Sequence, residues 1–256
     1  MSLDYYIQYP CNVRESVSDE ELLQMQKSKN RAEYVLDLMR NDPKTDTNIP
    51  ESEWTFQVMV QRPEGLEEKR VKIVDLLAES APLQSLSTNC KGCAANILHV
   101  DFGCGGAINY PLTAITEKWL ISRLPDDINS QAGNLLQMAI NDFNFDGKAI
   151  DASRNRKDLY ESSKPEIRKW GSFFSKKTNV SSSQILHMIM QVGHLQPSHA
   201  KLVAYFLGYI NDSFEYVEKS ENQPSSNDDR GVGQFKALLM ALSFAGTNEY
   251  SVFVDS

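Results

Sequence analysis

The sequence predicts an α+β protein. It reads as a small β-containing N-terminal half with a cysteine metal site, a mainly helical C-terminal half, and a C-terminal strand able to rejoin the sheet. Three observations carry this. β-rich runs stand at 4–9, 54–61, 69–74 and 107–110, all in the first half. From 127 onward the apolar spacing is that of successive helices. The tail NEYSVFVD (248–255) alternates as a half-buried strand does. The expected boundary lies near 125/126, with a β-containing lobe over 1–125 and a helical lobe over 126–256, sharing one core if the last strand crosses back.

In chain order, DYYIQY is a strand stopped by Pro10. Ser18 and Glu21 have capping-box spacing and open a helix to about Arg40, with Leu22, Met25, Ala32, Val35, Leu38 and Met39 as its buried stripe. Asn41-Asp-Pro43 ends it, and 42–53 is a polar loop. WTFQVMVQ and KRVKIV flank Arg62-Pro-Glu-Gly65-Leu-Glu-Glu, a loop long enough for a hairpin, followed by a short helix over 75–80. Pro111 and Thr113 open a helix through Leu124 whose apolar side is Ile115, Trp119, Leu120 and Leu124. Further helices are expected over 127–142, 156–175, 182–193, 198–219 and 232–244. Ser181 and Gln184 form a second capping box, and Pro197 takes the first helical position, where its missing N–H costs least. SENQPSSNDDRG (220–231) has little to bury and reads as a mobile surface loop.

At 256 residues, the chain is near the upper size for one hydrophobic core. A formal net charge of −8 disfavours nucleic acid, because phosphate binding needs a basic face. The densest basic stretch, 148–177, holds Lys148, Arg154, Arg156, Lys157, Lys164, Arg168, Lys169, Lys176 and Lys177, with Tyr160, Trp170 and Phe173 among them. It is diluted by Asp151, Asp158, Glu161 and Glu166 and reads as a solvated helix face. No apolar run reaches the roughly 18 residues of a membrane span, and MSLDYYIQYPCNVRE lacks the pattern of a secretory signal, so the expected address is cytoplasmic. The expected partner is a protein or a small molecule.

Three of the four cysteines lie in NCKGCAANILHVDFGCGG. Cys90-x-x-Cys93 lets one tight turn present two sulfurs to the same ion, with Gly92 supplying the positive φ such turns need. Cys104 follows, with Gly105 and Gly106 to turn the backbone and Asn89 and Asn96 to support the thiolates. Zinc takes four ligands in a tetrahedron. The expected set is Cys11, Cys90, Cys93 and Cys104. His99 is the competing fourth ligand, in a spacing one residue longer than the retroviral-type zinc knuckle. The same four thiolates suit an iron–sulfur cluster. Two disulfides, a thioredoxin-like redox pair and plain buried cysteines are the other readings. A four-ligand site is closed and contributes folding energy. The expected role is therefore a zinc-stabilised binding or regulatory protein. The competing role is an enzyme with an open three-cysteine metal site and Asp101 or His99 for proton transfer, or an iron–sulfur redox or sensor protein.

Other constellations are weaker. His187, His194 and His199 lack the glutamate spacing of zinc proteases and read as incidental to a core helix. Asp142, Asn144, Asp146 and Gly147 match the first half of a calcium loop, but Ser153 stands where a bidentate glutamate belongs. Phe143 and Phe145 read there as core anchors. GVGQ (231–234) is too short for a phosphate loop, and no G-x-S-x-G elbow exists.

Overall fold

Ser18 and Ser181 both cap helices as their spacing predicts. The Ser18 hydroxyl accepts from the Glu21 N–H at 3.2 Å while the Glu21 carboxylate accepts from the Ser18 N–H at 3.0 Å. At Ser181 the corresponding distances to Gln184 are 3.3 and 2.9 Å. Each reciprocal pair satisfies two donors that a helix start leaves orphaned. Ser181→Ala is expected to lower the unfolding free energy by about 1 kcal/mol, read as a shift of the urea midpoint with an unchanged slope.

The structure, a computed structural model, describes residues 2–46, 48–62, 65–171 and 178–255. Two compact units make up the chain: residues 1–9 with 94–256, and residues 10–93. The boundary anticipated near 125/126 falls inside the larger unit. In chain order, the larger unit begins with β1 (Ser2–Ile7). The smaller unit contributes α1 (Asn12–Ser16), α2 (Asp19–Asn41), β2 (Thr55–Arg62), β3 (Gly65–Lys72), α3 (Ile73–Ser80) and α4 (Pro82–Leu86). The larger unit resumes with β4 (Gly105–Asn109), α5 (Ala114–Ser122), α6 (Gln131–Asp142), α7 (Lys148–Ser153), β5 (Ile167–Trp170), β6 (Thr178–Ser181), α8 (Ser182–Ile189), β7 (Gly193–Leu195), α9 (Pro197–Phe206), α10 (Arg230–Thr247) and β8 (Val252–Asp255). Helix (48%) outweighs strand (17%) and the ladders between strands are antiparallel, which is the α+β class the sequence predicts.

The tail does return to the first strand. The sheet of the larger unit runs β4-β1-β8-β7, with Tyr5 opposite Gly106 on one side and Val254 on the other. Helix α10 packs against β1, β4 and β8, and α9 packs against α10. Tyr5, Tyr6, Ile7, Ile108, Leu238, Leu242, Val252 and Val254 are all buried in this unit. In the smaller unit, Ala32, Val35 and Leu36 of α2 form a core with Trp54, Ile73 and Leu76, on which Met39, Phe56 and Val71 pack. β2 and β3 pair as the expected hairpin, but the second strand begins at Gly65, inside the expected loop, with Thr55 opposite Lys72 through Arg62 opposite Gly65.

Several elements depart from expectation. No helix fills the described part of 156–175. Pro165 removes a donor and clashes inside any such helix, at a cost of about 3 kcal/mol. The chain instead pairs Ile167–Trp170 with Thr178–Ser181. Phe173, Lys176 and Lys177 lie outside the described residues. Helix α9 stops at Phe206, not 219, because Gly208 turns left-handed at φ +77° and the Tyr209 N–H returns to the Ala204 carbonyl. The segment 220–231 is not slack. Asn222 is buried, its side-chain amide donating to the carbonyls of Gly208 and Val217 and its oxygen accepting from Arg123 at 2.7 Å. At its end Asp229 caps α10.

Candidate functional site

Lys91 (φ −68°, ψ 121°) and Gly92 (φ +75°) sit between the two cysteines of C-x-x-C, and the Cys93 N–H donates to the Cys90 carbonyl at 3.3 Å. These are the marks of a type II β-turn, which requires positive φ at its third residue and brings the first and fourth Cα atoms within about 7 Å. Nothing stands within 4 Å of the position a Gly92 Cβ would take, so the turn conformation, not packing, asks for glycine there. Cys90 ends a 3-10 turn over Ser87–Cys90 and is buried; Cys93 is half-buried. Cys11 directly precedes α1, and α1 packs on that same 3-10 turn. Cys11, Cys90 and Cys93 therefore belong to neighbouring parts of the smaller unit.

Cys104 belongs to the larger unit. Its carbonyl accepts from the Ile7 N–H at 2.9 Å, extending the β1–β4 ladder, and it is half-buried. Gly105 and Gly106 do not form the sharp turn expected of them. They lie in β4 opposite Tyr6 and Tyr5, and a Cβ on Gly106 would stand 2.6 Å from the Tyr5 hydroxyl. The Tyr5 side chain passes over Gly106, while a Cβ on Gly105 would stand 2.7 Å from the Tyr5 carbonyl oxygen. Burial, and then the neighbouring Cys104, push the Tyr5 phenol far above its ordinary range.

His99 is exposed in a run of turns, with φ +55°, and is not the strand residue its surroundings suggested. Asp101 is exposed as well. Among the described residues, no three His, Cys, Asp or Glu side chains come together as a group able to hold a metal ion. Zinc's four-ligand shell is thus not assembled among the described residues; the turn brings only the Cys90 and Cys93 backbones close together. None of the four cysteines is in a disulfide.

The three clustered histidines have structural partners. Phe145 lies edge-on between the His187 and His199 rings, at 5.5 and 5.4 Å. His187 Nδ1 accepts from the Gly147 N–H at 3.4 Å, and His199 Nε2 bonds the Met188 carbonyl at 2.8 Å. Burial lowers the His199 pKa against the opposing pull of that carbonyl. His194 bonds Gln8 at 2.8 Å. In the calcium-like segment, the Asp146 carboxylate accepts from the Lys148 N–H and ammonium, which holds its pKa down. Phe145 is half-buried, whereas Phe143 is exposed and anchors no core.

Most of the basic stretch is solvated as expected, with Lys148, Arg156, Lys157, Lys164 and Lys169 exposed, though on no single helix; Arg154 is the exception. Arg154 is buried at 2% exposure, against Glu117 at 0%. Two parallel bonds join them, at 2.9 and 2.7 Å. Arg154 also donates to Ser183 at 2.8 Å and to Ser182 at 3.1 Å, while Ser183 donates to Asp151 at 2.6 Å. The Ser182 hydroxyl donates a short bond to Glu117. Burial opposes the Arg154 charge, but Glu117 outweighs it and the guanidinium pKa is raised. The Tyr160 ring lies 5.1 Å from the guanidinium. Arg168 is likewise engaged, donating to Asp126 and to the Leu124 carbonyl at 2.6 Å each. This network escaped the sequence, where Glu117 is simply one of several polar residues in TAITEKWLI.

No family model, curated protein or solved structure matches the chain. No helix among the described residues is long and apolar enough to cross a membrane.

Proposed function

We propose that this chain is a binding or regulatory protein whose smaller unit presents the binding face to a protein partner. The observation that carries the reading is on α2. Tyr34 and Leu38 lie one helical turn apart, 57% and 52% exposed, on the side away from the Ala32–Val35–Leu36 core. A second apolar pair, Val74 and Leu77, is exposed on α3. Single exposed apolar residues are ordinary, but adjacent large ones on rigid helices suit the aromatic and aliphatic anchors of protein interfaces. The test compares wild type with Tyr34→Ser/Leu38→Ser by proximity labelling in cells. Partners labelled by wild type are expected to be lost from the variant while its melting temperature holds. An unchanged set of labelled proteins would remove the binding face from α2.

Zinc belongs to the same proposal as the stabilising ion, with Cys90 and Cys93 as its first two ligands. Elemental analysis of protein purified without chelator is expected to find about one zinc per chain, and Cys93→Ser is expected to lose it. Iron with sulfide in its place would make the chain a redox or sensor protein. Protein with no metal would retire the ion and leave the α2 face standing.

A further inference from the structure

We infer that Cys90 and Cys93 form a thiol–disulfide exchange site that closes to an intramolecular disulfide when a low-molecular-weight disulfide of the glutathione class oxidises it. The inference assigns a regulation to the thiol turn of the proposed function and shares with that reading only these two cysteines. Its basis is the turn. A disulfide needs Cα atoms about 4.4–6.8 Å apart, and a type II turn already holds residues 90 and 93 within about 7 Å. Gly92 at φ +75° and the Cys93 N–H bond to the Cys90 carbonyl hold that approach in the reduced chain. The two residues also differ in access, which bears on which is attacked first: Cys93 is half-buried and Cys90 is only 7% exposed.

The chemistry balances in two steps. The Cys93 thiolate attacks one sulfur of the small disulfide, forming a mixed disulfide and releasing one small thiol. The Cys90 thiol loses its proton and attacks the Cys93 sulfur, releasing the second small thiol. Two cysteines are oxidised, and one small disulfide is reduced to two thiols. The pair is distinct from the thioredoxin arrangement, because Cys90 ends a 3-10 turn and does not begin a helix. Zinc and the disulfide would compete for the same sulfurs, so oxidation would release the ion wherever it is bound.

The experiment uses the full chain after chelator treatment, with zinc measured before and after. The protein is equilibrated across ratios of reduced to oxidised glutathione, acid-quenched, denatured, alkylated with N-ethylmaleimide and mapped by mass spectrometry. In wild type, two of the four thiols should escape alkylation, both within 90–93 and without retained glutathione. Cys90→Ser should instead keep glutathione on Cys93. Cys11→Ser and Cys104→Ser should behave as wild type. Full alkylation at every ratio, pairing through Cys11 or Cys104, or a lasting glutathione adduct on Cys93 of wild type would overturn the inference, and the wild-type map decides this even if a variant fails to fold. A 90–93 disulfide in protein that never held zinc supports the inference and removes zinc alone. Bound zinc with no disulfide after chelation removes the inference alone.

Discussion

Arg154→Met is expected to destabilise the chain by about 3–5 kcal/mol, seen as a large fall in the urea midpoint. Methionine approximates the length of the arginine stem and keeps its packing, so the loss reports the charge. Glu117, at 0% exposure, would keep its carboxylate without the two guanidinium bonds and with Ser182 as its remaining donor in the network. A buried charge without its partner is among the few changes that cost this much. Ser183 would lose Arg154 but keep Asp151, so the damage should centre on Glu117. The double variant Arg154→Met/Glu117→Leu separates the pair from its pieces. A buried ion pair often contributes little over a well-packed apolar replacement, so the double variant should be more stable than Arg154→Met alone. A single variant within about 1 kcal/mol of wild type would mean that water reaches Glu117 and that the network is a surface feature.

That network also shows where the sequence stops being legible. The apolar spacing of α5 points to Ile115, Trp119, Leu120 and Leu124 as its inner side; Leu120 and Leu124 are buried and Trp119 half-buried, but Ile115 is exposed, and Thr116 and Glu117 are buried in its stead. The face is rotated because Glu117 finds its arginine on another element, and pattern matching has no access to a partner that is remote in sequence. Leu38 fails for a related reason. It continues the apolar stripe of α2 by spacing, but Leu36 takes the core position and Leu38 turns outward. Local chemistry was readable where it is self-contained: both capping boxes, Pro197 at the first turn of α9, the β2–β3 hairpin and the alternating tail. The C-x-x-C turn belongs to that group, since Gly92 alone permits it. Cys104 belongs to the other compact unit, and the spacing of four cysteines does not encode which unit each one joins.

Two glycines of one helix should respond to alanine with opposite signs. Gly246 lies where α10 meets α9, and a Cβ there would stand 2.6 and 2.7 Å from the backbone N and Cα of Lys201. Those atoms belong to a helix, so relief requires moving α9 as a body. The surroundings, Ala200, Ala204, Ala241 and Ala245, are themselves small and fully packed, which leaves no slack to absorb the shift. Overpacking of this kind costs about 1–3 kcal/mol, and backbone as the obstacle favours the upper end even after the gain of up to about 1 kcal/mol that alanine brings to a helix interior. Gly233, one turn into α10, presents the contrary case. Its Cβ would meet only the Asp228 Cβ, at an ordinary 3.8 Å. With no clash, Gly233→Ala should raise stability by roughly 0.5–1 kcal/mol through the smaller entropy loss of alanine. Urea titrations of the two variants beside wild type check both signs. If Gly246→Ala were neutral, α9 and α10 would have to be further apart than the fold places them, and the layer of helices over the four-stranded sheet would need redrawing.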